Sequence, residues 1–203
     1  MVLALIVLSV IAAYLVGSIP TGYWFAKHFF GIDLTKHGSG NIGATNVARV
    51  LGSSKYFFLI FFIDAGKAIL VLWAVWRLVI ASISLASTQQ LLLCGIALAL
   101  LLGNAFSIFL KGKGGKSVAT LVGIVAFIYP WWLVLVMIGV WGAIAGITRR
   151  IFIASIGAAV VAMAIYWFYG MPEEIVLKLF LTLATGWLIY RHSSNIKQFF
   201  AKG

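Results

Sequence analysis

The chain has 203 residues, 64% of them hydrophobic and only 9% charged, where a soluble domain carries roughly a quarter charged residues. So few charges cannot cover a water-facing surface, which excludes an ordinary soluble globule and predicts one all-α membrane domain over residues 1–203. Lysine and arginine number 15 against 4 acidic residues, a net charge of +11. In a soluble chain this excess would suggest nucleic acid. In so apolar a chain it predicts basic loops that set topology, a site for anionic substrates, or both, and no nucleic-acid partner.

Seven apolar runs follow one another: Val2 to about Phe25, Tyr56–Ile80, Gln89–Leu110, Val118–Tyr129, Trp131–Ile147, Ile151–Tyr169 and Ile175–Tyr190. Most approach the roughly 20 residues that cross hydrocarbon. The first lacks a basic leader and a cleavage site, so a retained helix is expected. The fourth and fifth are short and meet at Tyr129–Pro130, where proline interrupts the hydrogen-bond ladder, and are expected to cross separately. The eight Trp, seven Tyr and fifteen Phe exceed what a core needs, and many are expected at the two interfaces. With seven crossings and the amino terminus outside, twelve of the fifteen basic residues share one side: Lys27, Lys36, Arg49, Lys55, Lys111, Lys113, Lys116, Arg149, Arg150, Arg191, Lys197 and Lys202. That side is predicted to be cytoplasmic.

Three polar clusters lie on that side. The first, Gly38 to Arg49, reads GSGNIGATNVAR. Gly38, Gly40 and Gly43 match G-x-G-x-x-G, but an apolar helix precedes them instead of a strand, which excludes a dinucleotide fold. What survives is a glycine-rich loop with Ser39, Asn41, Thr45, Asn46 and Arg49, suited to an anion or simply an ordinary loop. The second, Lys111-Gly-Lys-Gly-Gly-Lys116-Ser117, resembles a P-loop but has Leu110 where the first glycine belongs, so a nucleotide hydrolase is not expected. Lysines among Gly112, Gly114 and Gly115 at a helix start favour phosphate, whereas a topology anchor would need the lysines alone. The third, Arg191-His-Ser-Ser-Asn195-Ile-Lys197, closes the last run. If that helix continues, Arg191 and Asn195 share a face, and His192 is either a helix cap or a proton carrier.

Within the apolar runs, Ser18 and Thr21 flank Pro20, and Asp64 and Lys67 stand three residues apart in the second run. Such charges are expected to pair with each other or to face the site. His28 and His37 have no metal-ligand spacing, Cys94 is the lone cysteine in an apolar run, and no metal or cofactor is expected.

At these residues the sequence resembles the bacterial membrane acyltransferases that acylate glycerol 3-phosphate with acyl-phosphate. The resemblance runs through Gly17–Lys27, Gly38–Gly52, the Asp64/Lys67 pair, Lys113–Thr120 and Arg191–Ile196, in order and over the whole chain. It implies a seven-helix enzyme of the bacterial inner membrane, with its amino terminus outside, its carboxy terminus inside and its site at the cytoplasmic face. The enzyme would acylate the sn-1 hydroxyl of glycerol 3-phosphate and release lysophosphatidic acid and phosphate. The partners implied are these two substrates, membrane lipids and, as a candidate, the enzyme that forms acyl-phosphate.

On this resemblance Ser39, Arg49, Lys116, His192 and Asn195 are the expected catalytic residues. Gly38, Gly40, Asn41, Gly43, Thr45, Asn46, Asn104, Lys111, Gly114, Gly115 and Arg191 are expected to bind substrate. Arg49, Lys116 and Arg191 would neutralise phosphate, while His192 and Asn195 would border the glycerol. The chain departs from the family where G-H-x-x-P is usual and Gly103-Asn104-Ala-Phe-Ser107 stands instead. Asn104 can hydrogen-bond but carries no proton at neutral pH, and Ser107 is expected to leave its helix unkinked. Ser117 occupies a position that is often glycine in the family. The alternatives to an enzyme are a transporter of a phosphorylated solute and a non-catalytic lipid-phosphate binder.

Overall fold

Glycine and proline punctuate the apolar sequence, and several helices end where they stand. In the computed structural model, which describes residues 2–201, all regular structure is helical. The α-helices are α1 (Val2–Ser18), α2 (Thr21–Phe30), α3 (Ala44–Leu51), α4 (Ser54–Leu78), α5 (Ala86–Ala105), α6 (Val118–Ile128), α7 (Trp131–Thr148), α8 (Ile151–Tyr169), α9 (Ile175–Arg191) and α10 (Ser193–Phe200). Gly31 and Gly52 close α2 and α3 with φ of 69° and 70°, the left-handed cap that glycine adopts without a Cβ clash. Pro130 starts α7 at φ −56°, where its missing N–H costs nothing.

The contacts divide the chain into two units, Met1–Phe127 and Ile128–Gly203. In the first, α1 and α5 pack most extensively. Gly17 and Gly103 set their separation: a Cβ at Gly17 would lie 2.5 Å from the carbonyl oxygen of Leu100, and one at Gly103 would collide with that of Tyr14. Ala13, Leu72, Ile96, Leu100, Leu121 and Ile124 are fully buried or nearly so. A second cluster of Ala26, Leu34, Val47 and Ile60 ties α2, the following loop and α3 onto α4. In the second unit α7 packs on α8 and α8 on α9. Ala154, Ala158 and Ala162, four residues apart, are buried and give α8 a small-residue face.

Large apolar side chains stand exposed on the outside, among them Phe62, Leu70, Leu98, Ile138, Phe168 and Leu183, as a lipid-facing surface requires. By length and composition four stretches can cross a membrane: α4, Ala86–Leu110, α7 and α8. A fifth is gained if α1 and α2, bent by 41°, count as one. This is fewer than the seven crossings expected. Helix α6, with 11 residues, rises only roughly 16 Å, and α9 has 17 residues.

Three local expectations are corrected. The first apolar run is not one helix, because the chain leaves helical geometry between Ser18 and Thr21, around Pro20. Ser107 does not leave its helix unkinked. Helix α5 ends at Ala105, Phe106 leaves helical geometry, and Ser107 leads into a 3₁₀ turn at Ile108–Leu110. The last helix does not continue through the third cluster: it stops at Arg191, and His192 joins α9 to α10, so Arg191 and Asn195 lie on different helices.

Candidate active site

The break at Pro20 is where the polar loops of the first unit gather. Proline removes one backbone donor, and the turn leaves the carbonyls of Gly17 and Ile19 without helical partners. The Lys67 ammonium supplies them, donating to Ile19 O at 2.8 Å and Gly17 O at 3.4 Å. Its counter-charge is Asp64, at 2.8 Å on the same helix. Asp64 also accepts from the Thr21 hydroxyl at 2.8 Å. Asp64 and Lys67 are therefore paired within α4, and together they staple α4 to both sides of the break.

The glycine-rich loop docks beside this staple. The Ile42 carbonyl lies against Gly22 in the first turn of α2, so closely that a Cβ at Gly22 would overlap it. Upstream, Asp33 caps the turn at Leu34–Lys36 by accepting from the Thr35 amide at 3.0 Å and hydroxyl at 2.6 Å. The Thr35 hydroxyl holds the Asp33 carboxyl below the ordinary carboxylate range.

Asn46 organises the rest of the loop. Its Nδ2 donates to His37 O at 3.0 Å and Asn41 O at 2.8 Å. Its Oδ1 accepts from the Ser39 amide at 2.9 Å and from Arg49 Nη1 at 3.3 Å. Gly38, at φ +61°, passes so close to Asn46 Oδ1 that a Cβ would collide. The Asn41 side chain accepts from the Gly43 amide at 2.9 Å, just before α3. Asn46 is 2% exposed, so its amide is spent on the loop itself. Ser39, Gly40 and Arg49 are exposed around it, and Thr45 is half-buried.

The lysine–glycine loop docks against the ends of α1 and α5. The Ser107 hydroxyl donates to Ser18 O at 2.5 Å, and the Tyr14 hydroxyl to Phe106 O at 2.8 Å. The Gly115 amide donates to Asn104 O at 2.8 Å, while Gly114 lies against the Asn104 and Ala105 carbonyls with no room for a side chain. Two of the glycines read as phosphate-seeking thus have a packing reason of their own. Asn104 is buried, with its side-chain oxygen facing Gly115. Lys111 is exposed with a left-handed backbone at φ 53°, and Lys116 is half-buried. Ser117 has φ 61° and donates to Leu101 O at 3.2 Å. Ser18 and Gly22 flank Pro20, so both loops come to the same end of this unit.

Arg191, His192 and Asn195 belong to the second unit. His192 is 3% exposed. Its Nδ1 donates to Leu188 O at 2.8 Å. Arg191 lies over the Trp187 ring at 5.8 Å, and Asn195 Oδ1 accepts from the Ser194 hydroxyl at 3.5 Å. Among the described residues no group of three His, Cys, Asp or Glu side chains is placed to hold a metal.

Sequence reasoning missed the scaffold role of Asn46 and the carbonyl-capping role of Lys67. The second had a signal in Pro20, whose freed carbonyls require a donor. The first depends on a turn that no local spacing displays.

An all-helical, multi-pass membrane protein with basic, glycine-built loops gathered at one end of its first unit is the class these features define. The chain belongs to the glycerol-3-phosphate acyltransferase family, of the PlsY type, and the family pattern matches residues 7–202. It is 38% identical over 189 residues to a glycerol-3-phosphate acyltransferase of Synechocystis sp., covering 91% of this chain and 83% of that protein. It is 34% identical over 200 residues to one from Bacillus velezensis, covering 98% and 95%. Among solved structures it is similar to PlsY (YgiH), an integral membrane glycerol 3-phosphate acyltransferase. In the glycerol 3-phosphate form the identity is 36% and the TM-score 0.83, over 97% of this chain and 92% of that one. In the lysophosphatidic acid form they are 35% and 0.81, with the same coverage.

Proposed function

We propose that this protein transfers a fatty acyl group from acyl-phosphate to the sn-1 hydroxyl of glycerol 3-phosphate. The hydroxyl oxygen forms the ester bond to the acyl carbon as the bond from that carbon to the phosphate oxygen breaks. The electron pair leaves with phosphate, and the hydroxyl proton passes to a phosphate oxygen. A mixed anhydride carries its own good leaving group, so no nucleophilic side chain is required. Lysophosphatidic acid and inorganic phosphate are the products, in the first acylation of phospholipid synthesis.

The observation that carries this reading is the likeness, over 97% of the chain, to the glycerol 3-phosphate form of PlsY. The chemistry of the loops supports it. Both substrates bring phosphate, and the first unit offers Arg49 held at the Asn46 turn, exposed Ser39, and Lys116 after a glycine pair packed on α5. Charge-assisted hydrogen bonds of about 1.5–3 kcal/mol each suffice, a few together, to hold a small dianion. In our reading Arg49 and Lys116 neutralise phosphate, Ser39, Asn41 and Thr45 orient it or the attacking hydroxyl, and Asn46 holds them in place. Gly38, Gly40, Gly43, Gly114 and Gly115 shape the loops, and Lys111 and Asn104 border them. Arg191 as a phosphate ligand and His192 and Asn195 as glycerol-bordering groups are proposed from the resemblance.

We place the chain in the bacterial inner membrane as one functional domain with seven crossings, α6 and α9 being the short ones. Its amino terminus is outside, and the loops face the cytoplasm, where the basic residues concentrate. Acyl-phosphate then reaches the site from the bilayer, or from the enzyme that makes it. The test is turnover of labelled glycerol 3-phosphate by purified protein in lipid with acyl-phosphate. One phosphate released per lysophosphatidic acid supports the reaction as written, and phosphate release without labelled lipid refutes it.

A further inference from the structure

Lys178 is a charged group that this chemistry leaves unused, and its side chain is mostly buried. It lies in the first turn of α9, and only 8% of it is exposed. Among the described residues no carboxylate stands within 4.0 Å of its ammonium, and the group it faces is the Trp167 ring, 5.8 Å away. Neither neighbouring acid forms an ion pair with it. Glu174 accepts from the Tyr166 hydroxyl at 2.8 Å and the Met171 amide at 2.9 Å, and Glu173 is exposed. Lys67, the comparably buried lysine of the first unit, has by contrast a carboxylate and two carbonyls.

The stem of Lys178 is buried while its ammonium reaches the surface beside an aromatic face, so an anion arriving there meets an accessible cation. The placement adds to the attraction. The amino-terminal pole of a helix is itself positive, so a lysine there raises the potential felt by an anion. The surroundings narrow the anion to one kind. Trp167 is half-exposed, and Phe168 and Tyr169 beside it are 86% and 78% exposed, an aromatic rim of the type found where acyl chains meet headgroups. A free phosphate would find the cation but have no use for the rim, whereas a phospholipid uses both.

We propose that Lys178, against Trp167 and the start of α9, binds the phosphate of an anionic phospholipid headgroup. The site lies at the far end of its unit from α10, whose Phe199 packs under Arg150 at the start of α8. Along α9 it is about 20 Å from Arg191. It is therefore apart from Arg191, the residue nearest it along α9 that the reading above assigns to substrate, and its occupant is a structural lipid.

The experiment uses the full chain in nanodiscs of phosphatidylcholine, alone or mixed with phosphatidylglycerol, and follows amide hydrogen exchange over residues 166–178. The expected result is about tenfold slower exchange in that segment with phosphatidylglycerol, in the wild type and in Lys178→Arg, with no such change in Lys178→Met. Inorganic phosphate added to phosphatidylcholine discs is expected to leave the segment unchanged. Protection by inorganic phosphate alone would overturn the lipid assignment. An equal phosphatidylglycerol effect in Lys178→Met, or none in the wild type, would overturn the site. The wild-type comparison stands even if Lys178→Met fails to fold.

Discussion

The ammonium of Lys67 lies 2.8 Å from the carbonyl oxygen of Ile19, across the break between α1 and α2. One side chain thereby caps a helix that proline has cut, pairs with Asp64 and fixes the end of the unit on which both glycine loops rest. Replacing Lys67 with Met is expected to leave Asp64 buried without its partner. Breaking a buried pair in this way costs about 3–5 kcal/mol. Equilibrium unfolding in micelles checks this, and the double variant Asp64→Asn with Lys67→Met is expected to recover part of the loss. An unchanged single variant would remove the staple from the account.

Asn46 gives a sharper functional prediction, which rests on the proposed activity. Asp has the shape of Asn but donates no hydrogen bond, so Asn46→Asp sets a carboxylate oxygen against the carbonyls of His37 and Asn41. The loop around Ser39 and Arg49 is expected to loosen and kcat/KM for glycerol 3-phosphate to fall by about 10- to 100-fold. The α4 core, which holds α3 through Val47 and Ile60, is expected to stay folded. Initial rates together with circular dichroism separate the two effects. A full loss of helix would make Asn46 a folding residue alone.

The α1–α5 contact predicts a contrast between glycines. Gly103→Ala places a methyl into the backbone of α1 and is expected to cost about 1–3 kcal/mol. Gly66→Ala, with nothing within 4 Å of the added atom, is expected to be neutral or to stabilise α4 by up to about 1 kcal/mol. Thermal unfolding of both variants in one detergent decides it.

Ser117 holds a left-handed backbone at φ 61°. Glycine accepts that conformation, so Ser117→Gly is expected to change stability by less than about 1 kcal/mol, the lost bond to Leu101 offsetting the relieved strain. Valine, branched at Cβ, is expected to cost about 2–3 kcal/mol there. Equal melting temperatures for the two variants would contradict the assigned backbone.

Much of this organisation is legible in the sequence where local rules govern it. The Asp64–Lys67 pair follows from two charges one helical turn apart in an apolar run, and Pro130 marks the start of α7 as proline does. The break at Pro20 is visible as a proline, but the 41° bend depends on how Lys67 and Thr21 close it. No glycine or proline announces the break at His192, which is set by packing and by the bond from its ring to Leu188. Gly114 and Gly115 illustrate the limit of motif reading. The same residues suit a phosphate loop and a loop pressed onto α5, and only the structure shows the second.

The central claim is tested most directly by offering the purified protein, in lipid with labelled glycerol 3-phosphate, three donors in parallel: acyl-phosphate, acyl-CoA and acyl carrier protein thioester. We expect labelled lysophosphatidic acid from acyl-phosphate alone, falling when Lys116 is replaced by alanine. Product from a thioester at a comparable rate, or none from acyl-phosphate with the fold intact, would contradict the account.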